Sequence, residues 1–180
     1  MSQNQIPKKL LWIDLEMTGL NPLKDKILEV AAIVTDFDFN RLDSYECVVH
    51  QSEETIAGSN NWAKKTFTES GLFKKVRESS TDENEVQSKL ISIVDKHFSD
   101  LAILAGNSIH QDRLFIRKYF PKLEKKLHYR MLDVSSLKIL MQGKYNIEFE
   151  KVGKHSAMDD IKESMVELRY YLDYLHGIKS

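Results

Sequence analysis

Cysteine is nearly absent from this sequence: Cys47 is the single one among 180 residues. No intrachain disulfide and no cysteine-based zinc site can therefore form, and any metal must bind to carboxylates or imidazoles. Apolar runs such as Leu10–Ile13 fall far below the roughly 18 residues of a membrane span. Gln3, Asn4 and Gln5 are unlike the basic start of a secretory signal. These absences predict a soluble protein of the reducing cytoplasm, with no membrane partner.

A positive excess is also lacking, since 26 Lys and Arg stand against 27 Asp and Glu. A protein that grips long nucleic acid neutralises many phosphates and is usually basic. We therefore expect no long duplex partner. A nucleic-acid substrate would be short, with one or two phosphates.

Glycine and proline are sparse, with 7 and 3 residues, and the chain shows neither repeats nor a linker. We therefore expect one domain over residues 1–180, with residues 1–7 flexible. A chain of this length buries about 70% of its extended surface, which is enough for a real core.

The first third of the chain predicts three strands, Lys9–Met17, Ile27–Phe37 and Arg41–His50, because β-branched and aromatic residues alternate there. The remainder is mostly helical, and the pattern favours a mixed sheet flanked by helices. The later elements are a helix to about Phe98 opened by a capping box of Ser80 and Glu83, a strand at Leu101–Ala105, a helix at Gln111–Phe120, a strand at Met131–Val134, and helices at Ser135–Gln142 and about Ser156–His176.

Asp14 and Glu16 lie two residues apart in an otherwise apolar strand. Because side chains alternate between faces, both acids share the face that carries Trp12. Two carboxylates about 4 Å apart repel by roughly 4 kcal/mol at an effective dielectric constant of about 20, and a bound cation removes that repulsion. An edge strand with both acids in water would explain the pattern equally well.

Asp112 lies on the apolar stripe of its own helix, because Phe115, Ile116 and Tyr119 follow it at helical spacing. An acid on a buried face needs a partner. A first-turn aspartate stabilised by the helix dipole is the simpler explanation when Asp112 is considered alone.

His155 stands just before the last helix, and Asp159 and Asp160 occupy that helix's first turn. Both acids also suit an ordinary helix start. Combined with Asp14, Glu16 and Asp112, however, Asp160 completes four hard oxygen ligands of the type that Mg²⁺ and Mn²⁺ prefer. Two such ions can clamp a phosphodiester, and a histidine can take the proton of the attacking water.

Three motifs, in order along the chain, resemble the DnaQ-like, DEDDh-type 3′-to-5′ exonucleases. They are Asp14–Leu20, Gly106–Ser108 with Gln111–Arg113, and His155–Asp160. Within that superfamily the chain is similar to the oligoribonuclease family, because it is short and carries Leu132–Ser135.

The resemblance covers residues 11 to 175 and implies an RNase H-like fold with a central five-stranded mixed sheet. It implies hydrolysis with two metal ions, Mg²⁺ or Mn²⁺, that releases nucleoside 5′-monophosphates from the 3′ end of short oligoribonucleotides, dinucleotides above all. The implied metal ligands are Asp14, Glu16, Asp112 and Asp160, and the implied general base is His155. The family spacing from His155 selects Asp160 over Asp159.

The same resemblance implies a substrate-binding set. Leu20 would be a wedge between two bases, Trp62 a stacking platform, and Ser108, Arg130 and Ser135 a cap on the terminal 5′-phosphate. Family members form homodimers in which Tyr129 reaches the partner's site. Without the resemblance, Trp62 would be interpreted as a core aromatic and Arg130 as a solvated charge.

One departure is visible, since this chain has Thr66-Phe67-Thr68 where relatives often carry His. A polar contact from that segment is therefore in question. Two alternatives also remain open: a proofreading-type DNA exonuclease, and a catalytically silent RNase H-like module that binds RNA ends.

Overall fold

A five-stranded mixed sheet forms the centre of the computed structural model, which describes residues 8–150 and 156–177. The strands lie side by side in the order β3-β2-β1-β4-β5. Their bounds are β1 Lys9–Met17, β2 Ile27–Asp36, β3 Arg41–Val48, β4 Ala102–Gly106 and β5 Leu127–Asp133. The central mixed sheet with flanking helices confirms the expected architecture.

Short connections make the first half of the sheet antiparallel, and helical connections make the second half parallel. β1 pairs antiparallel with β2, and β2 pairs antiparallel with β3. β4 pairs parallel with both β1 and β5, as crossover connections allow. β1 is thus the central strand, covered on both faces, which excludes the edge-strand explanation for its acids.

Eight helices in the described part of the chain cover the sheet. They are α1 Glu53–Ala57, α2 Asn61–Glu69, α3 Leu72–Glu78, α4 Glu83–His97, α5 Ile109–Tyr119, α6 Pro121–Glu124, α7 Val134–Tyr145 and α8 Ala157–Gly177. None of the helices in residues 8–150 and 156–177 combines the length and apolarity that crossing a bilayer requires.

Alternation along β1 divides the core in two. Leu11, Ile13 and Leu15 join the larger cluster with residues of α4 and α5. Leu10 and Trp12 point to the other face and pack with residues of α7 and α8. The face that begins as apolar core at Leu10 and Trp12 is the face that continues into Asp14 and Glu16.

The helix α4 begins two residues later than its sequence signature suggested. Asp82, not Ser80, is the N-cap, and its carboxylate accepts the backbone N–H of Glu85 at 2.9 Å. The Glu85 carboxylate in turn accepts the Asp82 N–H, which completes the capping box. Both pairs fit the same four-residue pattern, so spacing alone did not distinguish them.

Candidate active site

Carboxylates from two distant chain segments meet beside β1. Oxygen atoms of Asp14, Glu16 and Asp160 all lie within 4.8 Å of one another. Asp14 and Glu16 project from β1, and Asp160 lies in the first turn of α8. The packing of α8 on the Leu10 and Trp12 face therefore places its first turn over the two strand acids.

The residue of β2 that faces Asp14 is small, which leaves space beside the acids. Asp14 stands opposite Ala31 of β2 and Trp12 stands opposite Ile33, so these pairs share one face. Ala31 is fully buried, and its methyl group occupies little of that face.

Asp112, on α5, lies near the cluster but is not one of the acids whose oxygens lie within 4.8 Å of one another. Its Oδ1 accepts the backbone N–H of Leu15 at 3.0 Å, and its side chain is buried, as the helical spacing predicted. The β1–β4 pairing ends at Trp12 and Ala105, so the ladder with β4 does not extend to Leu15. Burial raises the pKa of Asp112 to about 7, although the Leu15 hydrogen bond opposes the rise.

The pKa of Glu16 is strongly raised. Burial contributes most and the negative charges of Asp160, Glu29 and Asp112 add to it, which brings the pKa to about 8. Glu29 stands directly opposite Glu16 in the β1–β2 register, and its own pKa is raised by burial. The dependence on Asp112 places that residue within electrostatic range of the cluster.

Glu29 also anchors the start of α8. Its Oε2 accepts the backbone N–H of Ala157 at 3.1 Å, three residues before Asp160. The neighbouring acid, Asp159, accepts a hydrogen bond from Lys162 at 3.0 Å. Sequence reasoning missed Glu29, although an acid in the apolar run of β2 was a usable signal. His155 lies outside the described residues.

Leu20 and Trp62 line one cavity with the cluster. The cavity has a volume of about 340 Å³ and also contacts Glu16, Gly19 and Asn60. Trp62 is 57% exposed and Leu20 is 69% exposed, so neither is a core residue. This exposure excludes the core interpretation of Trp62.

Neighbouring side chains hold this cavity wall in place. Phe67 is fully buried and packs edge-on against the Trp62 ring, with centroids 5.5 Å apart. The Gln111 amide donates to the Leu20 carbonyl at 2.7 Å, which ties the Leu20 loop to α5. A Cβ on Gly19 would lie 2.6 Å from the Asp25 carboxylate, so a larger residue there would displace that side chain.

Ser108 and Ser135 lie side by side, with their hydroxyl oxygens 3.1 Å apart. The Asp133 carboxylate accepts the backbone N–H groups of both residues, at 2.9 and 3.0 Å. Asp133 is the N-cap of α7, which begins at Val134, one residue before the predicted start at Ser135, and this cap was not identified from the sequence.

Tyr129 and Arg130 project from an irregular stretch of the edge strand β5, where the register with β4 shifts. Both side chains are exposed, and the Arg130 guanidinium lies 5.3 Å from the Tyr129 ring centroid. Arg113 supports this stretch from below by donating to the carbonyls of His128 and Tyr129.

The donor set fits a hard divalent cation. Carboxylate oxygens gathered within one coordination sphere are what Mg²⁺ and Mn²⁺ bind. The pKa of Glu16 is raised first by burial and then by the charges of the neighbouring acids, and a bound cation would offset both effects. Asp14, Glu16 and Asp160 could therefore hold a metal ion, with Asp112 close by.

A family model described as Exonuclease matches residues 11–168. The chain is 45% identical to the oligoribonuclease of Ectopseudomonas mendocina over 172 residues, which are 93% of this chain and 96% of that protein. It is 46% identical to the oligoribonuclease of Neisseria meningitidis serogroup A over 176 residues, 94% of each chain.

Solved structures of Escherichia coli exonuclease I share the fold. One, in complex with a 5cy-dT13 oligonucleotide, matches with a TM-score of 0.70 at 15% identity and over 96% of this chain. A zinc-bound complex with single-stranded DNA matches with a TM-score of 0.68 at 16% identity. This chain spans less than half of the exonuclease I chain, 44% in the first case. The likeness confirms the RNase H-like fold class, and the near-full-length matches at about 45% identity show that this chain is a member of the oligoribonuclease family of exonucleases.

Proposed function

We propose that this protein is a metal-dependent 3′-to-5′ exoribonuclease that hydrolyses oligoribonucleotides of about two to five residues, dinucleotides above all, to nucleoside 5′-monophosphates. The observation that carries the proposal is the meeting of Asp14, Glu16 and Asp160 oxygens within 4.8 Å in a chain of the oligoribonuclease family.

In the proposed chemistry, the acids bind metal ions and a histidine acts as the base. Asp14, Glu16, Asp112 and Asp160 would hold two divalent cations, Mg²⁺ or Mn²⁺, which when bound supply Lewis-acid stabilisation of charge on the phosphodiester. His155, five residues before Asp160, would take the proton of the attacking water, because a neutral imidazole is a suitable base near neutral pH. Asp112 would be held in its orientation by the Leu15 N–H.

The substrate length follows from two recognition elements on either side of the acids. Trp62 and Leu20 line the cavity beside Glu16, where one base would stack on the indole and Leu20 would separate the two bases. Stacking of this kind stabilises each base by roughly 1–3 kcal/mol and tolerates any base. Ser108, Ser135 and Arg130 would bind the terminal 5′-phosphate and so exclude longer RNA.

A homodimer in the cytoplasm completes the proposal. Leu172 is 44% exposed and lines an apolar cavity with Leu140 and Met131. A second copy covering this cavity would bury these side chains, and Tyr129, 71% exposed, could then reach the partner's site. The single Cys47 agrees with a reducing compartment.

The test is release of mononucleotide from a labelled 5′-phosphorylated diribonucleotide, with Mn²⁺ and with EDTA. We expect complete conversion with the metal and none with EDTA. A long single-stranded DNA is the parallel substrate, and faster hydrolysis of that DNA would favour a proofreading-type exonuclease. No release from either substrate would favour a silent RNA-binding module.

A further inference from the structure

A partly buried polar cluster links α8 to the turn that follows β4. Its centre is Asn107, which sits between Gly106 at the end of β4 and Ser108. The Asn107 amide nitrogen donates to Glu167 Oε2 and to Ser164 Oγ, both at 2.9 Å. On its other side the Asn107 carbonyl oxygen accepts the Ser135 hydroxyl at 3.1 Å.

Glu167 fixes which way the Asn107 amide points. The Glu167 side chain is completely buried, and its Oε1 accepts the Tyr171 hydroxyl at 2.9 Å. Lys138 of α7 lies 3.9 Å from the same oxygen. Because a carboxylate only accepts hydrogen bonds, Asn107 must turn its NH₂ group towards Glu167 and its oxygen towards Ser135. A reversed amide would set oxygen against oxygen in a buried place.

The cluster therefore links the residues that are proposed to bind the two ends of the substrate. On one side, Ser164 donates to the Asp160 carbonyl at 2.8 Å, one helical turn after that acid. On the other side, Ser135 accepts the Ser108 N–H at 2.9 Å and contacts its hydroxyl. Asp160 belongs to the proposed metal cluster, and Ser108 and Ser135 belong to the proposed 5′-phosphate cap. Asn107 is the shared neighbour of both.

We propose that Asn107, oriented by Glu167 and Ser164, is a positioning residue that fixes the separation between the acidic cluster and the 5′-phosphate cap and thereby sets the preference for dinucleotides. The inference rests on the proposed function and adds to it the residue that determines length selectivity. A dinucleotide can occupy cap and cluster together only at one separation, and misplacement by about 1 Å lowers turnover strongly at sites of this kind.

The test compares two substrates that differ only at the cap. A 5′-phosphorylated diribonucleotide engages both ends of the site, whereas the same diribonucleotide with a 5′-hydroxyl engages only the acids and the base-stacking wall. The measured quantity is the ratio of kcat/KM for the two substrates. A change that merely lowers stability would reduce both values together and leave the ratio intact.

Asn107→Asp is the informative variant, because it keeps an acceptor for Ser135 and turns an oxygen towards Glu167. We expect the ratio to fall about tenfold, mostly through a higher KM for the phosphorylated substrate. Asn84→Asp makes the same charge change on the exposed side of α4 and should leave the ratio unchanged. Ser164→Ala is a milder second variant and should lower the ratio in the same direction.

A double variant gives the most direct test of how the Asn107 amide is oriented. In the double variant Asn107→Asp with Glu167→Gln, the amide introduced at position 167 can donate to the carboxylate at position 107, so the ratio should return towards the wild-type value. A ratio that stays at the wild-type value in active Asn107→Asp and Ser164→Ala proteins would overturn the positioning role. Wild-type protein that hydrolyses neither dinucleotide would instead overturn the proposed function.

Discussion

Two acids lie seven residues apart on one face of α8 and have different surroundings: Asp160 is half-buried and Glu167 is fully buried. Asp160 meets Asp14 and Glu16, so carboxylate faces carboxylate. Glu167 meets the donors of Asn107 and Tyr171, with Lys138 nearby. In the first arrangement bound protons or cations relieve the repulsion between the acids, whereas in the second the protein's own donors satisfy the carboxylate. Acids that face one another therefore indicate a cation site, whereas an acid surrounded by donors and a nearby lysine indicates a structural role.

Two neighbouring acids in the first turn of α8 give the most direct test of this difference. Asp160→Asn should lower kcat by roughly 10³-fold, because it removes one acid from the cluster. Asp159→Asn, one residue away and paired with Lys162, should stay within about threefold of wild type. Steady-state hydrolysis of a diribonucleotide with saturating Mn²⁺ measures both. Equal losses in the two variants would contradict the assignment of Asp160.

The stability of the metal-free protein should depend on pH, because the acids of the cluster oppose one another. The folded-state pKa of Glu16 is about 8 against an ordinary value of 4.5, so the metal-free folded state binds this proton more tightly than the unfolded chain does. Stability in EDTA should therefore fall as pH rises from about 4.5 to 8, and the shift corresponds to several kcal/mol at most. Asp112, with a pKa raised to about 7, acts in the same direction.

Melting temperatures in EDTA and in Mn²⁺, at pH 5.5 and pH 8, measure this effect. We expect the stabilisation by metal to be larger at pH 8, because at pH 5.5 the metal must displace protons. Glu16→Gln should flatten the pH dependence in EDTA. Equal metal stabilisation at both pH values would contradict the cluster's mutual repulsion.

The stacking wall gives a smaller expected effect. Trp62→Ala should raise KM for a diribonucleotide about tenfold, because one base loses its aromatic surface. Trp62→Phe should keep most of the affinity. Since Trp62 is 57% exposed, neither variant should shift the melting temperature much. Unchanged KM in Trp62→Ala would remove Trp62 from the substrate site.

The smallest expected effect comes from removing one hydrogen-bond donor of Glu167. Burial and the hydrogen bond to Glu167 raise the pKa of Tyr171, so the hydroxyl stays protonated and donates. Tyr171→Phe removes that donor and should lower the free energy of unfolding by about 1–2 kcal/mol, a few degrees in melting temperature. Thermal unfolding measures this, and hydrolysis of the 5′-hydroxyl dinucleotide should not change. A large loss of that activity would contradict the view that the cluster around Glu167 is structural and distinct from the acids around Asp160.

The strands and the long helices were predictable from the sequence because their patterns are long and regular. β1 has the predicted bounds Lys9–Met17, and α8 begins within one residue of its predicted start. The buried position of Asp112 followed from helical spacing. The gathering of Asp14, Glu16 and Asp160 needed the resemblance, because nothing local to β1 or α8 indicates that they meet.

Like the four-residue helix α6, the three short helices α1 to α3 were not predicted. They have five, nine and seven residues, too few for a clear periodic pattern. Tertiary packing holds them instead, since Ile56, Phe67 and Val76 form a separate core cluster with Leu28 of β2. Caps at Ser52 and Asn60 were visible in the sequence but are common in loops.

The Asn107 cluster was also missed, for a different reason. Apolar spacing along α8 predicts one buried face that consists of Met158, Ile161, Met165, Leu168, Leu172 and Leu175, and Ile161 and Leu168 are indeed buried. In the structure Ser164, Glu167 and Tyr171 are buried, and Leu172 is largely outside the core. An apolar criterion cannot find a buried polar stripe, whose partner Asn107 lies about 60 residues away.

The position of Asp160 in the chain has a consequence for biosynthesis. The acids of β1 leave the ribosome early, but α8 emerges only after all five strands have been made. A nascent polypeptide that has not yet delivered α8 lacks Asp160 and therefore the complete acid cluster. Under the proposed mechanism, such a chain would not hydrolyse RNA until its synthesis is nearly finished.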